Sequence, residues 1–237
     1  MTRPWQTLAT VPTAEGPLEL RQRGDRDFLI VIAGRVLMTS VARRSEEALS
    51  TLAAAAVKGR SHPRVLIGGL GMAYTVRAAL DAFGPGCRVT VAERTPAVIE
   101  WCRGPLAPLT DGAALDPRVD VVVQDVARVI GAGRATYDAI LLDLYEGPNP
   151  ATQRKDDPFY GPAALARSHA ALRPGGVLAI WAEDPDPTFP RRFGAAGFEV
   201  TTHRAGKGGR AHIVYLGVRA DAAAPHRAPP RGGRSRA

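Results

Sequence analysis

Cysteine is nearly absent from this chain: Cys87 and Cys102 are the only two in 237 residues. They stand at no metal-ligand spacing and form no disulfide framework, which argues against a zinc module and a stapled secreted scaffold. His62, His169, His203 and His212 are scattered without a ligand pattern, so no metal site is expected. No run approaches the roughly 20 apolar residues of a membrane span. The opening "MTRPWQTLATVPTAEG" lacks the apolar core of a signal peptide. The expectation is a cytoplasmic protein with no membrane partner. There is no internal repeat, and nothing in the sequence speaks to subunit number, so a homo-oligomer stays open.

What the chain has in excess is positive charge, +8 formally. The segment "DAAAPHRAPPRGGRSRA" carries Arg227, Arg231, Arg234 and Arg236 against Asp221, a net +3 that leaves +5 for the remainder. Its Ala, Pro, Gly and Arg cannot build a core, so residues 220–237 are expected to be a disordered basic tail. The remaining positive charge is spread through helical stretches without interleaved aromatics. That pattern fits a solvated surface better than a nucleic-acid site. Apolar residues at 45% and charged residues at 23% are ordinary for a globular domain.

Local patterns divide the rest. In residues 17–40, "LELRQR" and "DFLIVIAG" flank Gly24-Asp25 as a hairpin, and "RVLMTS" adds a third strand. "RSEEALSTLAAAAVKG" reads as a helix with Ser45 at its N-cap and Gly59 at its stop. These make an N-terminal unit, residues 1–60. From Arg64 strands are expected at 64–68, 88–92, 118–124, 137–143, 176–182, 198–203 and 211–218. Helices are expected near 72–83, 95–103, 126–131, 160–172 and 187–196. This alternation over residues 61–219 predicts an α/β fold, a Rossmann-like, doubly wound, mostly parallel sheet. The short connection "HRAGKGGRA" makes the last two strands an antiparallel pair at one edge.

The chemistry starts at "RVLIGGLGMAYTVRAALDAF", where a β-branched run meets Gly68, Gly69 and Gly71 and becomes helical. Such a turn lets a ligand approach the main chain beside the free N–H groups of a helix start, although packing alone also calls for glycine there. Glu93 follows Gly71 by 22 residues, at the end of the next strand. An acid at that place accepts from the two hydroxyls of a ribose. Asp125, just past the third strand, is positioned to accept from an adenine amine while the N–H of Val126 donates to a ring nitrogen. It also suits an N-cap, and both roles are compatible. "YDAILLDLYEGPNP" then delivers Asp143 and Glu146 to the crevice. Three acids at successive strand tips, with no Lys or Arg in the glycine loop, suit a nucleoside rather than a nucleotide, and a cationic sulfonium nucleoside best. "AEDPDP" sets Glu183, Asp184 and Asp186 at the next strand tip, as an acceptor pocket or as a solvated turn.

The pieces "ERTPAVIE", "DPRVDVVVQD" and "LRPGGVLAIWAEDP" resemble the spermidine synthases, the polyamine aminopropyltransferases, within the S-adenosylmethionine-dependent methyltransferase superfamily. The resemblance covers roughly residues 17–185, including a small N-terminal β-sheet. It implies decarboxylated S-adenosylmethionine as group donor, a di- or polyamine as acceptor, and no metal. It makes Glu146 the base and Asp143 the residue that orients donor or amine, with Gly69, Gly71, Glu93, Asp125 and Val126 around the nucleoside. The chain departs from the family in three places. "GGLGMA" has Leu70 and Met72 where the family's GGGDGG has an acid, and the family's Asp-x-x-Asp is here Asp143 and Glu146. Its Gln and Tyr-His-Glu near the polyamine are reduced to one acid, assigned to Glu47.

Two other classes compete. Methyl transfer from S-adenosylmethionine itself is favoured by the missing loop acid, which would repel that donor's carboxylate. A nucleoside-binding protein without catalysis is the third. Removal of the residues after Arg219 is expected to leave the calorimetric melting temperature and the donor affinity unchanged. A marked fall in either would show that the tail takes part in the fold or the site.

Overall fold

A computed structural model describes residues 3–41, 44–145, 147–149, 154–205 and 212–220. The expected tail and Glu146 lie outside the described residues, as do the side chain of Ser45 and most of the connection "HRAGKGGRA". Four strands open the chain: β1 (Gln6–Thr13), β2 (Gly16–Arg23), β3 (Asp27–Ile32) and β4 (Arg35–Thr39). They pair antiparallel in chain order. β1 was not anticipated, because "QTLATVPT" is short of apolar residues and holds a proline. As an edge strand it needs neither a full apolar face nor the N–H that Pro12 lacks. Ala33 and Gly34, with φ of 46° and 82°, make the tight turn into β4.

After α1 (Arg44–Ala56) come β5 (Arg64–Gly68), α2 (Tyr74–Ala82), β6 (Arg88–Glu93), α3 (Pro96–Arg103), β7 (Val119–Val123), α4 (Val126–Ala132) and β8 (Tyr137–Leu142). The chain finishes with α5 (Pro162–Ala171), β9 (Leu172–Ala182), α6 (Phe189–Ala195), β10 (Phe198–Ala205) and β11 (His212–Arg219). The seven strands are ordered β10-β11-β9-β8-β5-β6-β7. β9 through β7 run parallel, and β11 runs against both of its neighbours. The expected antiparallel pair therefore sits at the edge, with β11 inserted between β10 and β9. β9 starts four residues before its expected start at 176, with Leu172 opposite Tyr137. A register shift follows, and Gly175 at φ 69° sits in the extra chain.

Burial explains why the central strands read as continuous apolar runs. β8 is buried at every position, and α1, α2 and α3 cover one sheet face while α4, α5 and α6 cover the other. The hydrogen-bonded neighbours of β5 are β6 on one side and β8 on the other, so the chain reverses its direction of travel there. In open α/β sheets the crevice beyond the strand ends at such a reversal is where ligands bind.

The opposite end of β8 is built for stability. Asp138 is 1% exposed and accepts from Arg60 Nη1 at 2.6 Å, Arg173 Nη1 at 3.0 Å and the Arg64 N–H at 2.7 Å. Hydrogen bonds to a charged group are worth roughly 1.5–3 kcal/mol each, and removing the buried acceptor strands its donors. Asp138→Ala is expected to lower unfolding stability in urea by at least about 2 kcal/mol without altering ligand binding at the other end of the strand. A loss below about 0.5 kcal/mol would mean that solvent replaces these bonds.

Candidate functional site

The glycine loop between β5 and α2 is shaped by its neighbours. A Cβ at Gly69, whose φ is 85°, would stand 2.9 Å from the Asp143 carbonyl oxygen. At Gly71, with φ 53°, it would stand 2.9 Å from Met38 Sδ. Both glycines are thus demanded by the protein itself, by the β8 tip on one side and by β4 of the N-terminal sheet on the other. Cys102 on α3 donates its thiol to the Gly71 carbonyl at 3.2 Å. Burial, with the charge of Glu93 added, pushes that thiol up to about 12, so it stays protonated and keeps donating.

Glu93 ends β6 and ties the loop down. Its Oε2 accepts from the Leu70 N–H at 2.9 Å and its Oε1 from the Thr95 N–H at 2.8 Å. An ionised carboxylate has about four acceptor positions, so two remain for further donors. Asp125 caps α4 by accepting from the Ala127 N–H at 2.8 Å, the structural role that its sequence position allowed. Val126 opens that helix, and its N–H is one of those a helix start leaves without an intrahelical partner. Gly69, Gly71, Glu93, Asp125 and Val126 therefore gather along the ends of β5, β6 and β7.

Asp143 follows β8 directly, its N–H donating to the Gly68 carbonyl at 3.3 Å. Strand alternation gives its side chain the face of Ala139 and Leu141, the face that α1 and α2 cover. Thr75 on α2 donates its hydroxyl to Asp143 Oδ2. Burial and the nearby charge of Glu46 push the Asp143 carboxyl up to about 7, and the Thr75 bond only partly offsets them. Glu46, not Glu47, is thus the acid that α1 brings to the site. Glu46 is 8% exposed, on the helix face of Leu49, Ser50 and Ala53, while Glu47 faces outward. The helical period of 3.6 marks Leu49, Ala53 and Val57 as the inward face and would have selected Glu46. Ser50 donates to the Thr75 carbonyl at 3.0 Å and Tyr74 to the Ser40 carbonyl at 3.0 Å, fastening α1 and the N-terminal sheet to α2.

Asp186 is not in a solvated turn. It is buried, accepts from the Thr188 N–H and hydroxyl at 2.9 and 2.7 Å, and pairs with Arg192 Nη2 at 3.1 Å. Glu183 is half-buried and Asp184 exposed. Among the described residues no group of three or more His, Cys, Asp and Glu side chains could hold a metal ion. No helix among them is long and apolar enough to cross a membrane.

No protein-family model matches the chain. A polyamine aminopropyltransferase of Mycobacterium tuberculosis is 31% identical over 126 residues, 49% of this chain and 23% of the relative. A protein named putrescine N-methyltransferase 2, from Nicotiana tabacum, is 42% identical over 69 residues, 29% of this chain and 18% of the relative. The chain thus spans less than a quarter of the length of either. The crystal structure of spermidine synthase from Thermotoga maritima superposes with a TM-score of 0.72 at 18% identity. That match covers 90% of this chain and 73% of that one. The fold is that of the spermidine synthases, and the resemblance read from the sequence is matched by these relatives.

The raised Asp143 carboxyl has a consequence for stability. An acid raised from its usual 3.8 to about 7 in the fold contributes stability that is fully present below pH 3.8 and is lost as pH rises through about 7. Asp143→Asn is therefore expected to raise the melting temperature more at pH 8 than at pH 5. Equal effects at both pH values would mean that Asp143 is ionised throughout.

Proposed function

We propose that this protein transfers the aminopropyl group of decarboxylated S-adenosylmethionine to a small amine, with the names of its relatives favouring a di- or polyamine. The observation that carries the reading is the pair Asp143 and Glu46, two acids held together beside the glycine loop on the acceptor side of the switch point. Burial and the neighbouring acid both disfavour a bare charge on Asp143, so the place favours a bound cation or a retained proton. An amine acceptor supplies either. It arrives as a cation, loses a proton to a carboxylate, and presents its lone pair to the carbon beside the sulfonium. The new C–N bond forms as the C–S bond breaks, and the bonding pair returns to sulfur, which leaves as a neutral thioether. The donor is already activated, so holding the two partners in line supplies most of the acceleration.

Glu93 holds the ribose in this reading, with Asp125 and Val126 at the base. Asp143 anchors the amine, and Glu146 takes the proton, with Asp143 as the second acceptor; a carboxyl that titrates near neutral pH is suited to that exchange. Methyl transfer from S-adenosylmethionine is the second reading. Leu70 and Met72, in place of an acid in the loop, favour it, as does the relative named for methylating putrescine. Both readings share the acceptor and differ in the donor.

Calorimetric titration with the two donors, followed by mass spectrometry of products from an amine panel, separates them. Tighter binding of the decarboxylated donor and an aminopropyl mass gain are expected. A methyl mass gain would replace the first reading with the second, and no binding of either donor would remove both. Glu146→Gln is expected to keep donor affinity and to lose about 10²–10⁴-fold in turnover, partly recovered at high pH where the amine is already neutral. Turnover at the unaltered rate would take the base role from Glu146.

A further inference from the structure

The order of the strands divides the crevice. A donor across β5, β6 and β7 lies on one side of Asp143, so an acceptor must lie on the other, over β9 and β11. Leu142 pairs with Ile180, and the same register carried one residue further points Trp181 toward the Asp143 position. Trp181 shares its face with Val177 and Ala179 and packs against the cluster containing Leu49 and Ala53 of α1. It therefore lies on the Asp143 side of the sheet. His212 opens β11 on the face of Val214 and Leu216, and its ring centroid is 5.0 Å from that of Trp181 at 40°.

Both residues are half-buried, yet Trp181 Nε1 and His212 Nδ1 are closed to solvent and have no hydrogen-bond partner among the described residues. A buried polar atom left unsatisfied costs on the order of 1–3 kcal/mol, so two such atoms on adjacent rings call for a ligand that completes them. The indole N–H only donates, and an ammonium has three donors and no acceptor. A second ammonium at the far end of the acceptor cannot satisfy Trp181. An oxygen can: a hydroxyl accepts from the indole N–H and gives its own proton to Nδ1, or accepts from Nδ1–H in the other tautomer.

We propose that Trp181 and His212 form the far wall of the acceptor site and select an amine whose distal end bears a hydrogen-bonding oxygen. This rests on the amine-acceptor reading above and narrows it. Binding of three probes, without turnover, tests it by calorimetry: butylamine, putrescine, and the amino alcohol in which one amine of putrescine is a hydroxyl. The amino alcohol is expected to bind about tenfold more tightly than butylamine, the worth of one net hydrogen bond. Trp181→Phe keeps the ring and removes the N–H, and should bring that ratio toward one. Where Trp181→Phe fails to fold, judged by its melting curve, His212→Phe removes Nδ1 and should reduce the ratio in the same direction. A ratio that neither variant alters, or a preference for putrescine over the amino alcohol in the unaltered protein, would overturn the assignment. Absence of amine binding while a donor still binds would overturn it as well. Failure of both donors with the amino-alcohol preference intact would instead count against the transfer reaction alone.

Discussion

Two like charges cannot be packed side by side at no cost. Glu46 reaches the end of β8 from α1, which packs on the seven-stranded sheet, while Asp143 arrives from that sheet itself. Burial, with the charge of Glu46 added, pushes the Asp143 carboxyl up to about 7, so near neutral pH it readily keeps a proton. This constraint links the two parts of the chain. The N-terminal sheet and α1 bring the second acid, the thioether that forces glycine at position 71, and the Ser40 carbonyl that anchors Tyr74.

A single strand shows how environment sorts chemically identical side chains. Asp138 and Asp143 flank the same apolar run of β8. Asp138 is met by two guanidinium groups and a main-chain N–H, so its charge is matched and it serves the fold. Asp143 meets a hydroxyl and another acid, and burial together with that acid's charge pushes its carboxyl up to about 7. Asp186 repeats the first arrangement with Arg192 and Thr188, which ties it into the fold despite its place at a strand tip. Acids at strand ends are thus not equivalent, and the difference lies in the partners that distant segments bring to them.

The acid that ends β6 was legible in the sequence for a local reason. The spacing from Gly71 to Glu93 is one strand-helix-strand unit, whose geometry is set by the length of its elements. The structure adds that Glu93 is first a structural acceptor, binding the main chain at Leu70 and Thr95, and only its remaining lone pairs are open to other donors. The glycines likewise serve packing before ligand approach.

Apolar periodicity and glycine and proline punctuation were enough to determine the α/β class and the order of strands and helices from Arg64 onward, because each is a property of neighbouring residues. Edge strand β1 was missed because an edge carries little apolar signal. The choice of Glu46 over Glu47, the insertion of β11 between β10 and β9, and the meeting of Trp181 with His212 were decided only by the tertiary structure. Each depends on which distant segment covers a given face, and that is set by burial summed over the whole core rather than by any local pattern.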